Sequence, residues 1–147
     1  MRGKVIKDFR PYETASLVTE GAELVTIVRE FIENPALHHV CVIDEGGKLL
    51  GLINRKRLFK VVFSHHVAPD TMINKLLLFH DAQTSGDIML RHIVTAQEDD
   101  SIDDVIRLMI EHNIRELPIV GPQGKVIGFL NVLIIMRAWL REQNVDP

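Results

Sequence analysis

The feature of this chain that most limits what it can fold into is that it repeats itself once. Gly47-Lys48-Leu49-Leu50-Gly51-Leu52-Ile53-Asn54 returns 77 positions later as Gly124-Lys125-Val126-Ile127-Gly128-Phe129-Leu130-Asn131. Upstream, Leu24, Ile27, Val28, Phe31 and Ile32 return 78 positions later as Ile102, Val105, Ile106, Met109 and Ile110. Their spacing of i, i+3, i+4, i+7, i+8 is the one-sided apolar stripe of an amphipathic helix, present in both copies. A chain of 147 residues holding two copies of one pattern predicts two small like units in one compact body.

The rest of the unit follows from local signals. After each helix comes a short apolar run, 39–43 and 116–120, then a turn, Glu45-Gly46-Gly47 or Pro122-Gln123-Gly124, then a second apolar run, 49–53 and 126–130. Two such runs around a few Gly-rich residues predict a β-hairpin. Each hairpin leads into another helical stretch, 55–63 and 132–141, with Asn54 and Asn131 placed as N-caps. Extended segments at 17–19 and 93–95 precede the first helices. In the second copy Ser101 is expected to cap its helix through the hydroxyl, with the acids from Glu98 to Asp104 complementing the helix dipole. The order is strand, helix, strand, strand, helix, twice: an α/β (α+β) fold.

Composition narrows the function classes. Apolar residues at 46% and charged residues at 25% fit a folded globular protein. A net charge of −3 gives no overall attraction to nucleic acid or to anionic membranes. No apolar run approaches the roughly 20 residues that span a bilayer, and no signal-peptide segment is evident, so a cytoplasmic setting is expected. The single cysteine, Cys41, excludes an internal disulfide and sits in an apolar strand as a structural thiol. The seven histidines show no zinc-type spacing, and no acid–base pair, Gly-rich phosphate loop or nucleophile elbow is present. Neither a metal site nor catalysis is expected.

The run Gly86-Asp87-Ile88-Met89, Ile93-Val94-Thr95, Ile114-Arg115-Glu116-Leu117-Pro118-Ile119-Val120 and Gly124 to Leu130 resembles the CBS domain. The first copy is more divergent, with Cys41 where the family usually has proline, but Val42-Ile43-Asp44 and Gly47 to Gly51 keep the form. The resemblance implies two CBS repeats packed as a pseudo-twofold Bateman module, non-enzymatic and regulatory, whose clefts take adenosine-containing ligands. The expected division is a 1–16 arm without a repeat partner, CBS repeat 1 at 17–64, a 65–83 connector, CBS repeat 2 at 84–142 and a 143–147 tail. Met72, Ile73, Leu76 and Leu77 predict a helix in the connector.

The family resemblance also places candidate ligand residues. Its Ser/Thr-x-x-Asp at the start of the last helix, whose carboxylate accepts hydrogen bonds from a ribose diol, reads here Asn54-Arg55-Lys56-Arg57 and Asn131-Val132-Leu133-Ile134. Both aspartates are replaced, one by a cation. Residues 54–66 hold Arg55, Lys56, Arg57 and Lys60 and no acid, which at a helix start points to a phosphate-bearing ligand, against the plain alternative of a solvated face. His38 and His39 align with Arg115 and Glu116, positions the family often sets against phosphate, and Thr19 and Thr95 end the first strands near the expected base. An adenine nucleotide or S-adenosyl-type ligand is thus expected, the rival being a ligandless dimerisation or protein-interaction scaffold. A third reading, nucleic acid at Arg55 to Lys60, lacks stacking aromatics and is disfavoured. The final helix is apolar nearly all round and its counterpart carries Leu58, Phe59, Val61, Val62 and Phe63, predicting a homodimer through Leu58, Phe59, Val62, Ile135 and Trp139, the alternative being a monomer in which the connector helix covers them. The regulated protein is expected to be a separate chain.

Overall fold

The computed structural model describes residues 1–66 and 81–146, and the chain divides into two compact units, Ser16–Ile93 and Met1–Ala15 with Val94–Pro147. The helix expected from Met72, Ile73, Leu76 and Leu77 lies outside the described residues.

In the first unit, β1 (Ser16–Thr19) is followed by α1 (Leu24–Glu33), the hairpin β2 (His39–Ile43) and β3 (Leu49–Asn54), α2 (Arg55–Val62), and a single turn of helix, α3 (Ser85–Ile88). The sheet order is β1-β2-β3, with β1 parallel to β2 and β2 antiparallel to β3. The hairpin turn forms because the Asp44 carboxylate accepts from the backbone N–H groups of Gly46 and Lys48, both at 2.9 Å, while Gly47 takes φ +88°. Val18, Ile27, Val40, Val42, Ile53, Leu58 and Val61 form the core, together with Ile88 and Met89.

The second unit repeats this plan with β4 (Ala96–Gln97), α4 (Ile102–Glu111), β5 (Glu116–Val120), β6 (Val126–Asn131) and α5 (Val132–Glu142). The register repeats as well: His39 pairs with Asn54 as Glu116 pairs with Asn131, and both hairpins slip at the same place, Val42/Ile43 and Ile119/Val120. The first strand begins later than the expected 93–95, because Ala96 and Gln97 are the residues that pair with Ile119 and Val120. Ala96 is buried there, where its small side chain fits under the core. Ser101 stands at the N-cap of α4 without a side-chain cap bond. The N–H of Ile102 is instead satisfied by the Lys4 carbonyl at 3.1 Å, so a neighbouring segment does the capping.

Residues 1–15 are not an arm without a counterpart, as expected, but match 84–90. A 3₁₀ turn, Ile6–Phe9, places Ile6 and Phe9 in the second unit's core. Ile6 and Lys7 donate to the carbonyls of Asp100 and Glu98, both at 3.0 Å, as Ser85 and Gly86 donate to those of Ala22 and Glu20 at 2.8 and 2.9 Å. Asp8 accepts from the N–H of Val5 as Asp87 accepts from that of Thr84. Each lead-in then bridges a hairpin, Glu13 to Phe129 and Leu90 to Leu52. The approach is close enough to require the repeated glycines. A Cβ on Gly51 would lie 2.7 Å from the Leu90 carbonyl oxygen, and one on Gly128 2.8 Å from the Tyr12 Cβ.

Candidate functional site

In the first unit, the expected ligand residues gather at one end of the sheet because β2 begins where β3 ends. Asn54 caps α2 through its side-chain oxygen, which accepts from the Arg57 N–H at 2.7 Å, and His39 is its cross-strand partner. The Arg55 guanidinium reaches back over the α1–β2 loop, Nε donating to the Leu37 carbonyl at 2.6 Å and Nη2 to that of Pro35. The Arg57 guanidinium turns the other way, with Nε on the Ile88 carbonyl at the end of α3. Burial pushes the Arg57 pKa down from its ordinary value. These carbonyls orient both guanidiniums. Lys56, Lys60 and His38 are exposed around them.

Thr19 does not join this cluster directly. It pairs with Ile43 at the far end of β2, and its carbonyl accepts from the Ser85 hydroxyl. The four residues of α3 therefore connect the two places, Ser85 at Thr19 and Ile88 at Arg57.

The second unit arranges its equivalents differently. Asn131 caps α5 by accepting from the Ile134 N–H at 2.9 Å, and the Arg115 carbonyl takes the Val132 N–H at 3.0 Å. Arg115 itself is exposed, and Ile134 packs against the core. Thr95 does not end the first strand as expected but precedes β4, and Gln97, paired with Val120, stands where Thr19 stands in the first unit. The sequence also gave no sign of a polar cluster where the lead-in crosses this unit. Tyr12 donates its hydroxyl proton to Glu98 at 2.7 Å, and Arg10 pairs with the same carboxylate. The Tyr12 hydroxyl and the Arg10 guanidinium hold Glu98 below the usual carboxylate range. Burial, then the bond to Glu98, pushes Tyr12 up. The missed signal is the faint likeness of Ile6-Lys7-Asp8-Phe9 to Ser85-Gly86-Asp87-Ile88, which share only the aspartate.

Among the described residues, no group of three or more His, Cys, Asp or Glu side chains is arranged to hold a metal ion, and no helix is long and apolar enough to cross a membrane. Cys41 is buried in β2. The dimer residues expected from sequence divide: Leu58 and Ile135 belong to the two cores, Val62 is half-buried, and Phe59 and Trp139 remain exposed at 66% and 52%. Leu58 and Ile135 are thus withdrawn from any interface, because the helix turns them onto their own sheets.

The pattern of the CBS domain matches residues 13–64 and 86–141, one match per repeat. The chain belongs to the CBS-domain family. It is 30% identical over 128 residues to a homoserine O-acetyltransferase of Methanosphaera stadtmanae, covering 84% of this chain but only 21% of that protein. Among solved structures, CBSX2 of Arabidopsis thaliana in complex with AMP superposes with a TM-score of 0.75 at 22% identity, over 96% of this CBS pair and 99% of that chain. The CBS-domain pair of protein MJ0100 in complex with 5′-methylthioadenosine and S-adenosyl-L-methionine superposes with a TM-score of 0.70 at 22% identity, over 95% and 98%. At those identities the likeness establishes a shared CBS-pair fold.

Proposed function

We propose that this CBS pair is a non-enzymatic, cytoplasmic regulatory module that binds an adenosyl or other phosphate-bearing ligand. Binding changes how it packs against a second copy or a separate partner. The observation that carries this reading is the acid-free cationic start of α2, where Arg55, Lys56 and Arg57 surround the capped first turn. Carbonyl oxygens orient the Arg55 and Arg57 guanidiniums, and the exposed Lys56 adds a further cation beside them, so an anion meets positioned charge. The AMP and S-adenosylmethionine held by structurally similar CBS pairs supply the ligand class. The candidate contacts are Thr19, His38, His39, Asn54, Arg55 and Arg57 in the first repeat, and Thr95, Arg115 and Asn131 in the second.

A second reading, a ligandless scaffold, draws on the Arg57–Ile88 contact, in which the chain's own carbonyl engages the side chain that replaces the family aspartate. Either way, the exposed Phe59 and Trp139 favour a homodimer through the helices.

The test is a thermal-shift titration against adenine nucleotides, S-adenosylmethionine and inorganic pyrophosphate, with Lys56→Ala and Arg57→Ala alongside. A ligand at a hundred times its dissociation constant stabilises by about 2.7 kcal/mol, a shift of several degrees for a chain of this size. A shift that both variants reduce supports the sensor. No shift from any compound leaves the scaffold.

A further inference from the structure

The first unit grips its turn α3 through two polar side chains, one at each end, and the second unit has neither at the equivalent positions. A single turn of four residues is not stable as a helix by itself, so its place is set by what holds its ends. At the front, the fully buried Ser85 donates its hydroxyl proton to the Thr19 carbonyl, while the N–H groups of Ser85 and Gly86 donate to the carbonyls of Ala22 and Glu20. At the back, the buried Ile88 presents its carbonyl to Nε of Arg57. The two ends are about 4.5 Å apart along the turn, at roughly 1.5 Å per residue, so a shift of Ser85 carries Ile88 with it.

In the second unit the counterpart of Ser85 is Ile6 and that of Arg57 is Ile134, and both pack in the core. The backbone bonds are kept there, Ile6 and Lys7 donating to Asp100 and Glu98 at 3.0 Å. Seating the turn therefore does not require a hydroxyl. An apolar side chain does it without the cost of burying a polar group. The hydroxyl occurs where the other end of the turn holds a cation, and that cation belongs to the acid-free start of α2.

What a hydrogen bond adds over apolar contact is direction. The bond to Thr19 fixes the turn in place, the turn fixes the Ile88 carbonyl, and the carbonyl fixes the Arg57 guanidinium. A guanidinium holds a phosphate through forked bonds that weaken steeply with misalignment, so small displacements of its support matter.

We infer that Ser85 is a positioning residue for the anion site at the start of α2, acting through α3 and Arg57 rather than on the ligand. The inference rests on the regulatory reading above and adds the residue that aims its cation. It also joins Thr19, a candidate contact at the far end of the sheet, to the cationic turn by one strut, so binding at that turn tightens the Ser85 end.

The test uses inorganic pyrophosphate and isothermal titration calorimetry at one fixed ionic strength. Because coupling is reciprocal, pyrophosphate on the unaltered chain is expected to slow hydrogen exchange at the Ser85 and Gly86 amides more than at their counterparts Ile6 and Lys7, a measurement that needs no variant. Ser85→Ala, checked for folding by circular dichroism, is expected to weaken binding about threefold or more. In the Arg57→Ala background the same change is expected to weaken it by less than about twofold, since residues that act through one another do not add. Equal weakening in both backgrounds would show general loosening and overturns the inference, as does an unchanged affinity or equal slowing at the four amides; the anion site then stands without Ser85. An unaltered chain that binds no pyrophosphate removes the anion site itself, and the inference with it.

Discussion

The Arg57 guanidinium donates through Nε to the carbonyl oxygen of Ile88, joining the first turn of α2 to the last residue of α3. A charged donor on a half-buried backbone acceptor is stronger than a neutral pair, and its loss leaves Ile88 at a helix end without that partner. Arg57→Ala is therefore expected to destabilise the chain by about 1.5–3 kcal/mol, read from the urea midpoint at constant m. A change under about 0.5 kcal/mol, the size of an ordinary surface substitution, would show that the contact does not hold α3 in place.

The paired glycines give a sharper contrast. Gly51→Ala drives a Cβ against backbone, the Leu90 carbonyl oxygen, and against Met89 side-chain atoms at 2.8 Å. Gly128→Ala meets the Glu13 carbonyl oxygen at 2.9 Å. Each is expected to cost about 1–3 kcal/mol through overpacking. Gly21→Ala has nothing within 4 Å and no positive φ, so it is expected to be neutral or to stabilise by up to about 1 kcal/mol by restricting the unfolded chain. Thermal unfolding of the three variants side by side decides it.

The segment before β1 is part of the second unit's core. Ile6 is fully buried and Phe9 nearly so, and Ile6→Ala or Phe9→Ala is expected to cost about 2–5 kcal/mol. Ile110→Ala, at 76% exposure, is expected to change the stability of a monomer by less than about 0.5 kcal/mol. Equal effects at Ile6 and Ile110 would show that the lead-in is only draped on the surface.

Stability is expected to fall at both ends of the pH scale for assignable reasons. Asp87 is held below its ordinary pKa by the N–H groups of Gln83 and Thr84, and Glu98 by Tyr12 and Arg10. A carboxylate whose pKa is lowered on folding adds stability that is complete above its unfolded value and is lost as pH falls through its folded value. Tyr12 is raised, so its contribution is complete below the ordinary tyrosine value and is lost as pH rises through its folded one. Urea unfolding across pH should give a shallower acid limb in Asp87→Asn and a shallower alkaline limb in Tyr12→Phe.

How much was legible in the sequence varies from residue to residue. The stripe Ile102, Val105, Ile106, Met109 and the caps Asn54 and Asn131 are local patterns, and they appear as α4 and as bonds to Arg57 and Ile134. The likeness of 6–9 to 85–88 was hidden because Ile6 and Ser85 occupy equivalent buried positions with different chemistry, so only Asp8 and Asp87 remain alike. Ala96–Gln97 carries no strand propensity of its own and is extended because β5 offers it a partner. In the candidate site, the cationic turn was readable, but Arg55 and Arg57 pointing to Pro35, Leu37 and Ile88 was not, since those carbonyls come from other parts of the chain.

By itself, then, the sequence determined the twofold repetition, the strand–helix–strand–strand–helix order and the family, because apolar period, turn glycines and caps act over a few neighbouring residues. Only the tertiary structure decided that 1–15 complete the second unit and 84–90 the first, that Leu58 and Ile135 face inward while Phe59 and Trp139 face out, and which carbonyls orient the cations. Those choices are set by what packs across the sheet from distant parts of the chain. An α5 apolar nearly all round carries no mark of which side will be covered.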